Sequence, residues 1–248
     1  MTIYRRPDPI PRPRTQVLKP LVVSPLILSG RDDLRQLVAK RIFVGIESGQ
    51  FPEGSLLPNE RTLCESLGVS RTALREAING LASKGLLDAR RKRGTLVLDR
   101  TYWNMLDADL ISWTRNNGRA SVSDELWQAV SAALPVVARM AAAHRGDASL
   151  SVAASAIDQD PVDQDILCAF LIALSRAGLN RFLGTVVSVG LRSLLTEDPA
   201  FVRRIARPGA AAHLRLLAEA VESADGPAAE HCARQFCDIN AVTADVMA

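Results

Sequence analysis

LLPNERTLCESLGVSRTALREAINGLASKGLLDARRKRGTLV, residues 56–97, has the spacing of a helix, a tight turn, a second helix and a two-stranded wing. Pro58 presets φ at a helix entry, and Asn59 beside it is a capping residue. Leu63 and Leu67 stand four apart and share one face of a short helix. Gly68 suits the left-handed conformation that ends it. Ser70 caps a second helix whose buried stripe is Leu74, Ile78 and Leu81, and Gly85 is placed to end it. Leu86 and Leu87 enter the first wing strand. Arg90, Arg91, Lys92 and Arg93 form its tip, Gly94 supplies the turn, and Thr95 to Leu98 return.

The second helix places Arg71, Thr72 and Arg75 near its N-terminal end. A recognition helix reads the DNA major groove with that end. Arginine bonds guanine or phosphate in pairs, and a helix N-terminus favours phosphate. A solvated charged face is the competing reading. Turn, cap, stripe and basic wing agree on the first.

LPNERTL, LGVSRTALREAI, the run from Leu81 to Leu87 and RGTLV together resemble the winged helix-turn-helix of the GntR regulators, over roughly Asp32 to Asp99. The resemblance implies that Arg61, Arg71 and Arg75 contact DNA. It implies that Ser70 and Thr72 bond phosphates, and that the wing tip, with Arg91, Lys92 and Arg93, enters the minor groove. The family usually carries a small or flexible residue near Lys92. The cation here is expected to act on phosphate rather than on a base.

At 248 residues the chain fits two domains. Hydrophobic residues are 48% and aromatics only 4%, so the cores are expected to be helical and built from Leu, Val, Ile and Ala. The sequence reading finds no run long and apolar enough to span a membrane. MTIYRRPDPIPRPRT carries no apolar signal core, so a cytoplasmic protein is expected. Cys64, Cys168, Cys232 and Cys237 form no CxxC pair and read as small reduced residues. The net charge of +3 divides into +8 over residues 1–100 and −5 over 101–248. This suits a DNA-binding head on a separate, solvated body.

Residues 1–30, rich in Pro and Arg, read as a disordered basic arm. Its Arg5, Arg6, Arg12 and Arg14 either touch DNA or belong to an inert tail. Residues 31–100 are the winged helix-turn-helix domain. Its first helix is expected over Arg31 to Ser48, with Leu34, Leu37, Val38, Arg41 and Ile42 at helical spacing and Arg41 the polar exception. Residues 101–122 form a helical linker with Trp103, Leu106, Leu110 and Trp113 at helical intervals. Residues 123–248 read as six or seven helices making a bundle with a central cavity. The fold class is thus mainly α: a winged helix-turn-helix with a small β wing, followed by an all-helical ligand-binding bundle.

WNMLDADLISW, LSRAGLNRFL and EAVESADGPAAE are similar to the FadR branch of the GntR regulators, with its FCD-type C-terminal domain. WNMLDADLISW in particular resembles regulators of D-galactonate and related sugar-acid catabolism. That domain usually holds zinc, nickel or manganese through one Asp and three His. The D-x-x-F-H positions are here Leu167 to Leu171, and Leu does not ligate metal. His213 stands near the third ligand position, and the fourth falls at Gln235 or Phe236. No metal is therefore expected, and a rewired site of Asp165, His213 and His231 is the alternative. The family often binds a carboxylate effector through an Arg on the first helix of this domain. The counterpart positions here are Val130 and Ser131, and Arg139 is the only cation of that helix before Arg145, with a surface salt bridge as its competing role. Arg176, Arg192 and His213 are further effector candidates, unless sensing has decayed.

The implied function is a homodimeric regulator, in most relatives a repressor, that binds double-stranded operator DNA and responds to a small carboxylate or sugar acid. The alternative is a constitutive DNA-binding dimer whose body only dimerises. An aminotransferase-like body, found in some GntR relatives, needs a Schiff-base lysine, and residues 101–248 contain no lysine. No enzyme is expected.

Overall fold

The structure is a computed structural model that describes residues 34–90, 94–116, 121–144, 148–157 and 160–241. The arm read over residues 1–30, the wing-tip Arg91, Lys92 and Arg93, and residues 242–248 lie outside them. The chain divides into two compact units, residues 1–107 and 108–248.

In the first unit, α1 (Leu34–Glu47), α2 (Glu60–Leu67) and α3 (Arg71–Ser83) precede β1 (Leu87–Arg90) and β2 (Gly94–Val97). Local chemistry sets the ends of the middle helices. Asn59 Oδ1 accepts from the Thr62 amide at 2.9 Å, Gly68 closes α2 at φ 68°, and Ser70 Oγ accepts from the Ala73 amide at 3.2 Å. The Asn59 and Ser70 side chains each satisfy an amide that the helix leaves open, worth about 1 kcal/mol. The strands pair antiparallel from Leu87↔Val97 to Arg90↔Gly94. The segment before α2 adds a bridge, Leu56↔Leu96, and Leu57 N–H donates to Thr95 O at 2.8 Å.

Two sequence readings in this unit need correction. The buried stripe of α1 is Val38, Ala39, Ile42, Phe43 and Ile46, whereas Leu34 and Leu37 are only half-buried. Packing against α3 rather than local period chooses the face. The expected linker helix is divided. Asp99 caps a single 3-10 turn, Arg100–Tyr102, and Trp103 is extended (φ −73°, ψ 136°), so Trp103 and Leu106 do not share a helix with Leu110 and Trp113. Trp103 instead stands 6.1 Å from Phe43, ring to ring, with the Arg100 guanidinium 5.1 Å from its own centroid.

The second unit contains α4 (Ala108–Asn116), α5 (Ser121–Ala143), α6 (Ala148–Ser155), α7 (Gln164–Ala177), α8 (Arg181–Glu197), α9 (Pro199–Ile205), α10 (Ala210–Glu222) and α11 (Gly226–Ile239). Asp163, Asn180, Asp198 and Asp225 cap four of them through side-chain oxygens. α5 is the central element, in contact with α7, α8, α10 and α11. Contrary to the sequence reading, its stretch Val122–Ala143 is long and apolar enough to cross a membrane by length and composition. Its apolar face is spent inside the unit, where Trp127, Val130, Leu134, Val137, Ala138 and Ala141 join one hydrophobic cluster. Trp127 meets Phe201 and Phe236 edge-on, with centroids 5.1 and 6.4 Å away.

Candidate nucleic-acid interface

Ala73, Leu74, Ala77, Ile78 and Leu81 bury one face of α3. The opposite face leaves Arg71, Thr72, Arg75 and Asn79 exposed, with exposed Ser70 at its entrance. The Ser70 hydroxyl accepts the cap bond, so its proton remains to donate to a phosphate. The first turn of α3 has no acidic residue to offset the positive end of the helix dipole. Arg61 is exposed on the first turn of α2. Its Nε donates to Glu65 at 2.9 Å, an i,i+4 pair on an exposed surface.

Arg75 is held more firmly. Its Nε donates to both Glu60 oxygens at 3.0 and 3.1 Å, and Nη2 lies 3.0 Å from Oε2. The bond to Glu60, followed by the attraction of its charge, raises the Arg75 pKa above its ordinary value. Of the expected DNA-contacting residues, the described set Arg61, Ser70, Arg71, Thr72 and Arg75 therefore lies on exposed positions of α2 and α3. Arg91, Lys92 and Arg93 are outside the described residues.

The second unit treats its candidate residues differently. Leu167 and Leu171, at the ligand positions that the resemblance implies, are fully buried in the hydrophobic cluster with Phe170 and Leu174. Asp165 and His231 are exposed, and half-buried His213 donates Nδ1–H to Gly209 O at 3.0 Å. Among the described residues no three His, Cys, Asp or Glu side chains converge as a metal group. Asp165, His213 and His231 are thus not brought together. Arg192 and Arg176 are exposed. Arg139 borders a surface cleft of about 460 Å³ with Val136, Met140, Ala143 and Glu230. It pairs with Glu230 at 3.2 Å, and Glu230 also accepts from Arg234 at 3.1 Å. That surface salt bridge was the competing role for Arg139. Cys237 is buried, which pushes its thiol up to about 12 and leaves it a core residue rather than a nucleophile.

The family model described as "Bacterial regulatory proteins, gntR family" matches residues 34–97. These residues are a GntR-family helix-turn-helix domain. The galactonate operon transcriptional repressor of Escherichia coli is 34% identical over 118 residues, which is 46% of this chain and 50% of that protein. The uncharacterized HTH-type transcriptional regulator YieP of the same organism is 38% identical over 86 residues, 35% and 37% of the two chains. A fatty acid metabolism regulator protein of Vibrio cholerae is 38% identical over 90 residues, 35% and 32%. The chain thus spans half or less of the length of these relatives, all named as regulators or repressors. A solved structure of Lar, described as controlling expression of the Listeria monocytogenes agr system, is 16% identical. It covers 86% of this chain and 97% of its own with a TM-score of 0.53, a likeness of fold.

Within the GntR domain, sequence reasoning missed Glu60. Glu60 and Arg75 are separated by fifteen positions and a turn, so no helical or strand period links them. Only the packing of α2 on α3 makes them neighbours. The Arg61–Glu65 pair, by contrast, is legible as an i,i+4 spacing.

Proposed function

We propose that this chain is a sequence-specific transcription regulator of the cytoplasm, most simply a repressor of a metabolic operon, that binds double-stranded operator DNA as a homodimer. The observation that carries the reading is the face of α3. A Ser70-capped N-terminus presents Arg71, Thr72 and Arg75 to solvent while the other face is core. Two such helices related by a dyad would meet half-sites about one helical turn apart.

Arg71 makes no ion pair among the described residues, unlike Arg61 and Arg75. Its bidentate contact with guanine is worth about 1–3 kcal/mol, roughly 5- to 150-fold in affinity. Arg71→Ala is expected to lose that much binding to a duplex selected by the wild-type protein from random DNA, with an unchanged melting temperature. Fluorescence anisotropy and thermal melting measure the two. Undiminished binding would remove α3 from the recognition role.

The body is proposed to be an FCD-like effector and dimerisation domain taking a small carboxylate or sugar acid. The name of the Escherichia coli repressor favours a sugar acid. Effector binding would shift the population toward a dimer whose heads no longer match the half-site spacing. Arg139 would exchange Glu230 for the ligand carboxylate, with Arg192 and His213 as the other candidates. The second reading, a constitutive dimer, is favoured by the apolar filling at Leu167 and Leu171. Release of DNA by a sugar acid separates the two.

The body is proposed to work without a metal, because leucine stands where the paired carboxylate and imidazole would be required. Protein purified without an affinity tag is expected to contain well under one equivalent of zinc, nickel or manganese. Its melting temperature is expected not to move on adding a chelator, since a metal bound only to the native state would raise it. Stoichiometric metal lost in His213→Ala would overturn this and point to Asp165 and His231 as recruited ligands.

A further inference from the structure

We infer that Glu60 is a specificity-determining positioning residue that presets the guanidinium of Arg75 for reading a base. The inference rests on the proposed DNA-binding role of α3. A guanidinium has two edges that can each bind a flat pair of acceptors: a side edge of Nε and one Nη, and an end edge of the two Nη groups. Glu60 occupies the side edge, where both its oxygens accept from the single Nε–H (3.0 and 3.1 Å) and Oε2 lies in ion-pair contact with Nη2 at 3.0 Å. The end edge keeps the donors that Glu60 does not use. That edge matches the O6 and N7 acceptors of a guanine in the major groove.

An acidic residue on a DNA-facing surface costs affinity, because it opposes the phosphates without regard to sequence. The pair sits in the open, with the Arg75 and Glu60 side chains 65% and 43% exposed, so its contribution to folding is small. A positioning role is the gain that sets off this loss. A long side chain with several rotatable bonds is held in one arrangement before DNA arrives, so less ordering remains to be done on binding. Glu60 is itself fixed to the scaffold. It occupies the first turn of α2 directly after the cap Asn59, whose side chain is bonded to the Thr62 amide. The nearer arginine pair, Arg61–Glu65, lies within one helix and joins no two elements, so it does not tie α2 to α3 as this one does.

The test uses the full chain and the duplex it selects from random DNA. The measured quantity is discrimination: affinity for that duplex divided by affinity for copies with one guanine of the half-site replaced by adenine. Glu60→Asp keeps the charge on a side chain one methylene too short to hold both contacts, and Glu60→Gln keeps the length without the charge. Both variants are expected to lower discrimination about tenfold. Binding of unselected DNA should be unchanged in Glu60→Asp and equal or tighter in Glu60→Gln. In an Arg75→Ala background, Glu60→Asp is expected to leave discrimination where it is. Thermal melting checks that both variants remain folded, which their exposed position favours. Wild-type discrimination in Glu60→Asp, with uniformly tighter binding in Glu60→Gln, would overturn the inference and make Glu60 a counter-charge. Absence of discrimination in the wild-type protein would overturn the DNA-reading role of α3 itself, a result distinct from either variant outcome.

Discussion

Trp127→Ala is expected to unfold the helical body at physiological temperature. Trp127 is 2% exposed on α5, the helix that contacts most of the others in its unit. Its ring meets Phe201 of α9 and Phe236 of α11 edge-on, so one side chain fastens three helices. Truncating a buried Trp to Ala removes transfer free energy and leaves a cavity, together about 3–5 kcal/mol. The two edge-on contacts add to this, each worth about 0.5–1.5 kcal/mol beyond buried area. A single domain holds only about 5–15 kcal/mol in total. Urea titration followed by far-UV circular dichroism reads the loss as a lower midpoint. Trp127→Phe keeps an aromatic ring in the site and should lose markedly less. An unchanged midpoint in Trp127→Ala would show that α5 is not the centre of the core.

The second large effect is expected in the DNA-binding head. Phe43 is fully buried on α1 and packs against Trp103 at 6.1 Å. Phe43→Ala should cost about 3–5 kcal/mol by the same cavity argument. DNA binding is expected to disappear with the fold of the head, even though no residue of the recognition face has changed. Arg71→Ala is the opposite case, with stability kept and binding lost. The pair of variants separates scaffold from interface. Retained affinity in Phe43→Ala at temperatures where the wild type is stable would mean that α1 does not support α3.

Why some of this was legible in advance follows from how far each interaction reaches along the chain. The caps at Asn59 and Ser70, the turn at Gly68 and the stripe Leu74, Ile78, Leu81 act within one or two helical turns. A sequence lists such neighbours in order, so the helix-turn-helix and the exposure of Arg71 and Arg75 could be read directly. The break points Asn180 and Asp225 of the body are local in the same way. The linker misled because Trp103, Leu106, Leu110 and Trp113 do keep a helical interval. The contact that overrides it, Trp103 on Phe43, spans sixty residues.

The amino-acid sequence by itself determined a GntR-type helix-turn-helix, a basic first part and an acidic helical second part. Each of these depends on residue identity or on spacing within a few positions. Tertiary structure alone decided which face of α1 is buried, that an apolar α5 spends its surface on other helices, and that Arg139 meets Glu230. It also decided that Glu60 grips one edge of Arg75. These depend on which distant segments pack together, and a side chain's partner across such a gap is set by the geometry of packing rather than by any period in the chain.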